Sequence, residues 1–582
     1  MLQRDLAALA GGTFDLAVVG AGMFGAAAAL DAAQRGLKVA LIERGDFGGA
    51  TSAHSFKMIH GGIRYLQHAD LYRVRQSAAA RAAFLRVAPH LAKPLPIVVP
   101  TYGQGMKGKP VLRAGMAAYD LATFDRNRGI GDPSRRIPAG YALGRDEVLK
   151  RYPGLDRNGL TGAGVFADGQ MYNPTRLVLA FVQSAAGEGA AVANHLCATG
   201  LDIKDGRVRA VRVQDRLTGD RFDVRAKAVL NAAGPYAQRL LLEGSGLACD
   251  PVTPFSRDAY FIVPRPLIGG DRALTIPAFT PDAEARVSRG GRHLFLVPWR
   301  GVTLVGVWHK VFPGHPDAYE ITPRELARWL GEVNQGYAGL DLTPDDVAMG
   351  SAGLVPFGEG ATPPEDDDGE QELKFAHRSR VVDHARTHGI EGLVTLIGVR
   401  YTTAPVEAPP VIDAMLKKLG RPRTPSRLAT TPVHGGDLVD FEALVAEIEA
   451  KGLAQGAARA LAHNHGSAYG GVLALAGGAN AAALRRSLPG VTVTPAEILH
   501  VARNEMAETL ADVVFRRTDL ATAGTMTPAA LAEAARLVAE AKGWSEDRRR
   551  REVAFVEGRL KTLALSGRAM LADALPEVLA PA

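Results

Sequence analysis

The chain has 582 residues, 47% of them hydrophobic and 22% charged, with 65 glycines and only two cysteines, Cys197 and Cys249. This composition excludes a disordered or fibrous chain, and the cysteines, with no CxxC, exclude a disulfide framework or a cysteine-built zinc site. A formal charge of +7 suits an anionic substrate or membrane surface, but the basic residues form no aromatic-interleaved strip of the kind that binds nucleic acid. The start of the chain lacks an apolar signal core, and no uncharged run is long enough to span a bilayer. The expected location is therefore cytoplasmic, with no metal and no nucleic acid as partner.

In chain order, Leu16-Ala17-Val18-Val19 reads as a buried parallel strand, and Gly20-Ala21-Gly22-Met23-Phe24-Gly25 follows it directly. An Ala-rich helix is expected over 26–35, with Gly36 as its stop, and a second strand over 37–42 ending on Glu43. This strand–turn–helix–strand context makes the glycine pattern a dinucleotide-binding fingerprint. Gly20 permits the tight turn, Gly22 lets the backbone approach a pyrophosphate, and Gly25 lets helix and strand pack closely. Met23 and Phe24 open the helix whose N-terminus faces the phosphates. Glu43 is placed to accept hydrogen bonds from an adenosine ribose, and Arg44 beside it joins the cofactor-binding set. NAD and FAD share this fingerprint.

The next stretch separates them. Thr51-Ser52-Ala53-His54-Ser55-Phe56 runs into Lys57-Met58-Ile59-His60-Gly61-Gly62-Ile63-Arg64-Tyr65-Leu66. Small and hydroxyl residues allow a flat ring and its ribityl chain to approach, and Arg64 adds a forked cation suited to phosphate or carboxylate. The run from Lys57 to Leu66 resembles the flavin-dependent glycerol-3-phosphate dehydrogenases, within the D-amino-acid-oxidase-like flavoprotein superfamily. The resemblance implies FAD as cofactor, contacted by Thr51, Ser52, Ser55, Lys57, His60, Gly61 and Gly62.

The resemblance extends along the chain. Segment 106–128 mixes Lys107, Lys109, Arg113, Arg126 and Arg128 with Leu112, Met116, Tyr119, Leu121 and Phe124. It reads either as a peripheral membrane contact, as in the family's bacterial members, or as an ordinary amphipathic helix. Asn231-Ala232-Ala233-Gly234 looks like a second flavin contact, through Ala233 and Gly234. Gly398-Val399-Arg400-Tyr401-Thr402-Thr403 looks like the turn that closes over the flavin ring, with Thr402 and Thr403 also fitting as N-caps. Thr431-Pro432-Val433-His434-Gly435-Gly436 looks like the junction to a helical C-terminal domain, where Arg516-Arg517 reads as a solvated helix end rather than a site.

The expected fold class is α/β, with a Rossmann-like FAD-binding domain, an antiparallel-sheet substrate domain and a C-terminal helical domain. The boundaries are 1–250 (including part of the substrate cap), 251–379, 380–425 as the closing segment of the FAD domain, and 426–582. Runs at 259–263, 293–297 and 303–307 are strand-like and suggest an antiparallel sheet covering the flavin. Thr362 to Glu372, with its four consecutive acids, reads as a solvated loop.

The resemblance also implies a mechanism. A base takes the hydroxyl proton of a secondary alcohol while hydride passes to flavin N5, and a cation stabilises the developing alkoxide. His60, Arg64 and Arg400 are the catalytic candidates. Arg64, Tyr65, Tyr260, Trp308, His309 and Arg400 are the substrate-binding candidates.

The substrate side departs from the family. Gly306-Val307-Trp308-His309 stands in place of Gly-Thr-Thr-Asp, and Gly353-Leu354-Val355-Pro356 in place of Gly-Val-Arg-Pro. Tyr260 replaces a histidine and Arg400 a lysine. Arg378 or Arg380 is a candidate for the missing charge. The leading activity is oxidation of sn-glycerol 3-phosphate to dihydroxyacetone phosphate, with quinone or another acceptor taking the electrons and a homodimer among the partners. The same chemistry on another polyol phosphate, or on an unphosphorylated hydroxylated compound stacked on Trp308, is the alternative. An amine or amino-acid oxidase and a non-catalytic flavin-binding protein rank below it.

Overall fold

The computed structural model describes residues 1–68, 70–103, 109–247, 255–281, 291–356, 379–477 and 480–566. Cys249, Lys107, Arg378 and the acidic loop at 362–372 lie outside them. Thr13–Val19 forms the centre of a parallel sheet, flanked by Val39–Ile42 and Arg221–Asn231. Ala191–Ala193 and Leu393–Ile397 continue it outward in the same direction. Toward the carboxyl edge the central strands are apolar and buried, over 16–19 and Val39–Ile42, because both faces are covered there. The expected helix forms over Met23–Gln34 and is nearly all buried, its alanines letting it pack against Pro174–Gly187 and Ala404–Lys418.

Register decides where ligands meet this sheet. Val19 stands opposite both Ile42 and Asn231, and Asn231 stands opposite Thr395. The turns that begin at Gly20, Glu43, Ala232 and Gly398 therefore leave one carboxyl edge, the edge at which open α/β sheets bind their ligands.

The second sheet has nine strands among the described residues. Met349–Pro356, Phe255–Val263, Val302–Phe312, Gly291–Trp299 and Ala273–Pro281 follow one another antiparallel. Ala273–Pro281 then joins Ala92–Tyr102, which pairs with Leu160–Met171 and through it with Met58–Ile59. The strand of the His-Gly-Gly segment thus belongs to this sheet. Helix Pro323–Gly336 covers its outer face, packed on Phe261 and Trp308.

The C-terminal part is helical, with Phe441–Ala450, Gln455–His465, Pro495–Asn504, Pro528–Lys542 and Glu546–Ser566. Here the reading of Arg516-Arg517 as a solvated helix end is corrected. Arg517 is fully buried, and its guanidinium grips Asp46 through two bonds of 2.6 and 2.7 Å. Arg516 donates from Nε to the same carboxylate at 2.6 Å and also pairs with Asp512. Buried arginines need such partners, and Asp46, which both arginines share, sits in the cofactor half of the chain. Arg176 pairs with Glu505, and His195 lies 2.9 Å from Asp512, across the same contact.

Candidate active site

The fingerprint turn has the geometry its glycines require. Gly20 has φ of +97°, and a Cβ there would lie 2.7 Å from the Ala232 carbonyl, so the first two turns of the carboxyl edge touch. A Cβ at Gly25 would fall 1.8 Å from the Gly20 carbonyl oxygen. A Cβ at Gly22 would approach only the Ser52 hydroxyl, at 3.2 Å. That hydroxyl accepts from the Met23 amide at 3.1 Å and so sits at the helix N-terminus. Glu43 straps the turn, accepting from Ala21 at 2.7 Å and Gly45 at 2.9 Å. Arg44 lies over the Tyr236 ring at 3.4 Å, and both side chains reach Asp317. Gly234, at φ +56°, opens that second turn. A cradle in which added Cβ atoms would clash, backed by a helix N-terminus and a carboxylate, fits the pyrophosphate and adenosine of a dinucleotide.

The closing turn packs onto the fingerprint: a Cβ at Gly398 would lie 2.1 Å from the Phe24 ring. Helix Ala404–Lys418 starts just past Thr402 and Thr403, and neither caps it through its side chain. The Thr403 hydroxyl donates instead to the Arg400 carbonyl at 3.0 Å. Tyr401 points inward, donating to the Pro174 carbonyl at 2.8 Å and stacking on Phe84. Arg400 donates to the Tyr65 hydroxyl at 2.7 Å. The Tyr65 ring lies near two guanidiniums, 4.5 Å from that of Arg73 and 5.3 Å from that of Arg400. Arg64 is exposed on the turn just before Tyr65.

His60 faces Asp168, with Nδ1 3.2 Å from the carboxylate. Asp168 also accepts from the Gly61 amide at 2.7 Å and from Arg81 at 3.0 Å. Burial works to raise the Asp168 carboxyl, but the His60 hydrogen bond, the charges of His60 and Arg81 and the Gly61 amide outweigh it, so it stays below its ordinary value. The pairing assigns the proton to Nδ1 and leaves Nε2 as the basic nitrogen. Neither Asp168 nor Arg81 was reachable from sequence, since neither belongs to a motif.

The face of the second sheet over the Thr51–His54 turn carries Ser256, Asp258 and Tyr260 on one strand and Ser351, Gly353 and Val355 on its neighbour. The Thr51 hydroxyl donates to the Leu354 carbonyl, and His54 lies 2.9 Å from the Ser351 hydroxyl. Tyr260 is buried; its hydroxyl is bonded by the Lys57 ammonium and donates to the Ser55 carbonyl at 3.1 Å. Burial, with a contribution from Arg300, draws the Lys57 ammonium down to about 7. Burial and the nearby Lys57 charge draw His54 down to about 3, so it is neutral. His309 pairs with Asp258 at 2.7 Å on this same face.

Trp308 is a correction. The register slips by one residue between Ala259 and Tyr260, so Val307 is an extra residue in its strand. The bulge turns Trp308 to the opposite face, where it stacks on Trp329 at 4.6 Å and donates to Glu332 at 2.8 Å. It is a core residue there and does not line the face that carries His309. Arg380 lies on the edge strand beside Leu393–Ile397.

Comparisons with known proteins agree with this architecture. The sequence profile described as "FAD dependent oxidoreductase" matches residues 15–399. The chain belongs to that family. A second profile, the C-terminal domain of alpha-glycerophosphate oxidase, matches residues 426–549. The oxidoreductase is 31% identical to the mitochondrial glycerol-3-phosphate dehydrogenase of Mus musculus, over 93% of this chain and 72% of that one. It is 29% identical to the glycerol-3-phosphate dehydrogenase of Synechocystis, over 89% of this chain and 91% of that one. Its fold matches the FAD-complexed glycerol-3-phosphate dehydrogenase of Bacillus halodurans with a TM-score of 0.72, at 22% identity and 96% coverage of both chains.

Proposed function

We propose that this FAD-dependent oxidoreductase converts sn-glycerol 3-phosphate to dihydroxyacetone phosphate and passes the electrons to quinone. The observation that carries the reading is the His60–Asp168 pair, set on the same turn as Arg64 and Tyr65, in a chain whose relatives are glycerol-3-phosphate dehydrogenases. FAD, when bound, would supply the hydride acceptor, and Gly20, Gly22, Gly25, Glu43, Ser52, Gly234 and the 398–403 turn would hold it. His60 takes the hydroxyl proton at Nε2, while Asp168 keeps the ring in the required tautomer and stabilises the imidazolium. Arg400, oriented by Tyr65, stabilises the oxygen as it loses its proton, and Arg64 binds the phosphate.

A membrane contact fits the same reading. Leu71, Tyr72, Leu121 and Phe124 are 57–78% exposed. Arg75 joins their two helices, bonding to Asp125 and to the Ala122 carbonyl, and lies over the Phe124 ring. Apolar side chains around a guanidinium suit an anionic lipid surface, where quinone is available. Among the described residues no helix is long and apolar enough to cross a membrane. The proposed location is the cytoplasmic face; a homodimer is compatible with the reading. The domain boundaries expected from sequence stand as part of this proposal.

Val355 and the Asp258–His309 pair favour a second reading, a related polyol phosphate or an unphosphorylated alcohol, because that face offers an acid where a phosphate wants a cation. The deciding experiment is anaerobic reduction of the bound flavin. Rapid bleaching by glycerol 3-phosphate supports the first reading. Bleaching only by another polyol phosphate or a free alcohol selects the second.

A further inference from the structure

Two helices reach inward to the turn that presents His60. The Tyr119 hydroxyl, on helix Lys109–Ala122, donates to the Gly61 carbonyl at 2.7 Å. Arg81, on helix Leu71–Val87, is fully buried and donates to the Ala167 carbonyl at 2.8 Å and to Asp168 at 3.0 Å. Asp168 in turn takes the Gly61 amide and faces His60. Both polar groups around Gly61 are therefore held, the carbonyl by Tyr119 and the amide by Asp168. There is no slack: a Cβ on Gly61 would lie 2.1 Å from Arg81 Nη1 and 2.3 Å from the Tyr119 hydroxyl. Burial pushes the Tyr119 phenol up to about 12, so it stays protonated and remains a donor.

A buried arginine–carboxylate pair is a poor way to gain stability, because apolar residues of similar volume do as well or better. What this pair and Tyr119 do provide is a fixed turn. We infer that Tyr119 and Arg81 are positioning residues for His60, acting through Gly61 and Asp168, so that helix Lys109–Ala122 sets the geometry of proton removal. The inference rests on the reading of His60 as the proton acceptor. An imidazole that must meet a hydroxyl while hydride leaves the same carbon tolerates little displacement, and an error near 1 Å costs about 100-fold.

The test is rapid-mixing reduction of the holoenzyme by glycerol 3-phosphate in four forms: wild type, Tyr119→Phe, His60→Asn and the double variant. Tyr119→Phe is expected to slow flavin reduction roughly 10- to 100-fold, with substrate Kd and FAD content unchanged. The double variant is expected to be no slower than His60→Asn, since Tyr119 acts through His60. Asp168→Asn, as a second route to the same loss, is expected to follow Tyr119→Phe. A wild-type rate in Tyr119→Phe, or a double variant slowed by the product of the two single effects, overturns the inference and leaves the reading of His60 intact. A wild-type rate in His60→Asn overturns that reading and the inference with it.

Discussion

The phenol of Tyr65 accepts a 2.7 Å hydrogen bond from the guanidinium of Arg400, across 335 positions of sequence. The contact joins the His-Gly-Gly segment to the closing turn of the parallel sheet. Replacing Arg400 by Ala is expected to slow the limiting rate of flavin reduction by glycerol 3-phosphate roughly 10- to 100-fold, the range of a hydrogen bond to a charged group. Arg400→Lys keeps the charge but loses the fork and recovers only part of this. The concentration dependence of anaerobic flavin reduction reads both, and an unaltered limiting rate in Arg400→Ala would exclude it from stabilising the substrate oxygen.

Trp308 is expected to matter for stability and not for selectivity. Trp308→Ala removes a ring stacked between Phe261 and Trp329 and is expected to cost about 3–5 kcal/mol in denaturant unfolding. The more conservative Trp308→Phe, which keeps the enzyme folded, is expected to leave the kcat/KM ratio for glycerol 3-phosphate over free glycerol unchanged. A shift in that ratio would return Trp308 to the substrate site.

Asp46 holds two buried guanidiniums. Asp46→Ala leaves Arg517 without its carboxylate and Arg516 with Asp512 alone, a loss of about 3–5 kcal/mol by analogy with other broken buried pairs. Thermal unfolding of the holoenzyme measures it, and a change below 1 kcal/mol (about a few degrees in Tm) would show that the arginines find other partners.

Lys57 gives a pH signature. Its ordinary value is 10.5 and its folded value about 7. Between these limits the unfolded chain carries a proton that the folded chain lacks, so this group makes stability rise with pH from about 7 to 10.5. Lys57→Met is expected to remove that contribution and flatten the profile. A slope identical to wild type would mean that Lys57 is charged in the folded protein.

The cofactor half was legible because its signals are local. Gly20 and Gly25 mark a turn with no room for a side chain, Gly22 completes the motif, and the strands on either side are apolar runs. Trp308 was not legible, because alternation along a strand assigns faces correctly only until a bulge. Val307 is that bulge: it turns Trp308 away from the face of Gly306 and Tyr260 and puts His309 on it. Arg516 and Arg517 failed for another reason: their acid lies some 470 positions earlier, and a helix end followed by two arginines looks the same whether it is wet or docked. Asp168 reaches His60 from a neighbouring strand, a relationship that exists only once Met58–Ile59 has paired with Gln170 and Gly169.

Glu43 and Asp46 stand on one short loop. Glu43 closes on the fingerprint turn, and Asp46 closes on the C-terminal arginines. A ligand that orders this loop therefore favours the docked C-terminal helices, and the docked helices favour the ligand by the same free energy, since linkage is reciprocal. The loop that closes the nucleotide cradle is thus the same loop that anchors helices hundreds of positions downstream.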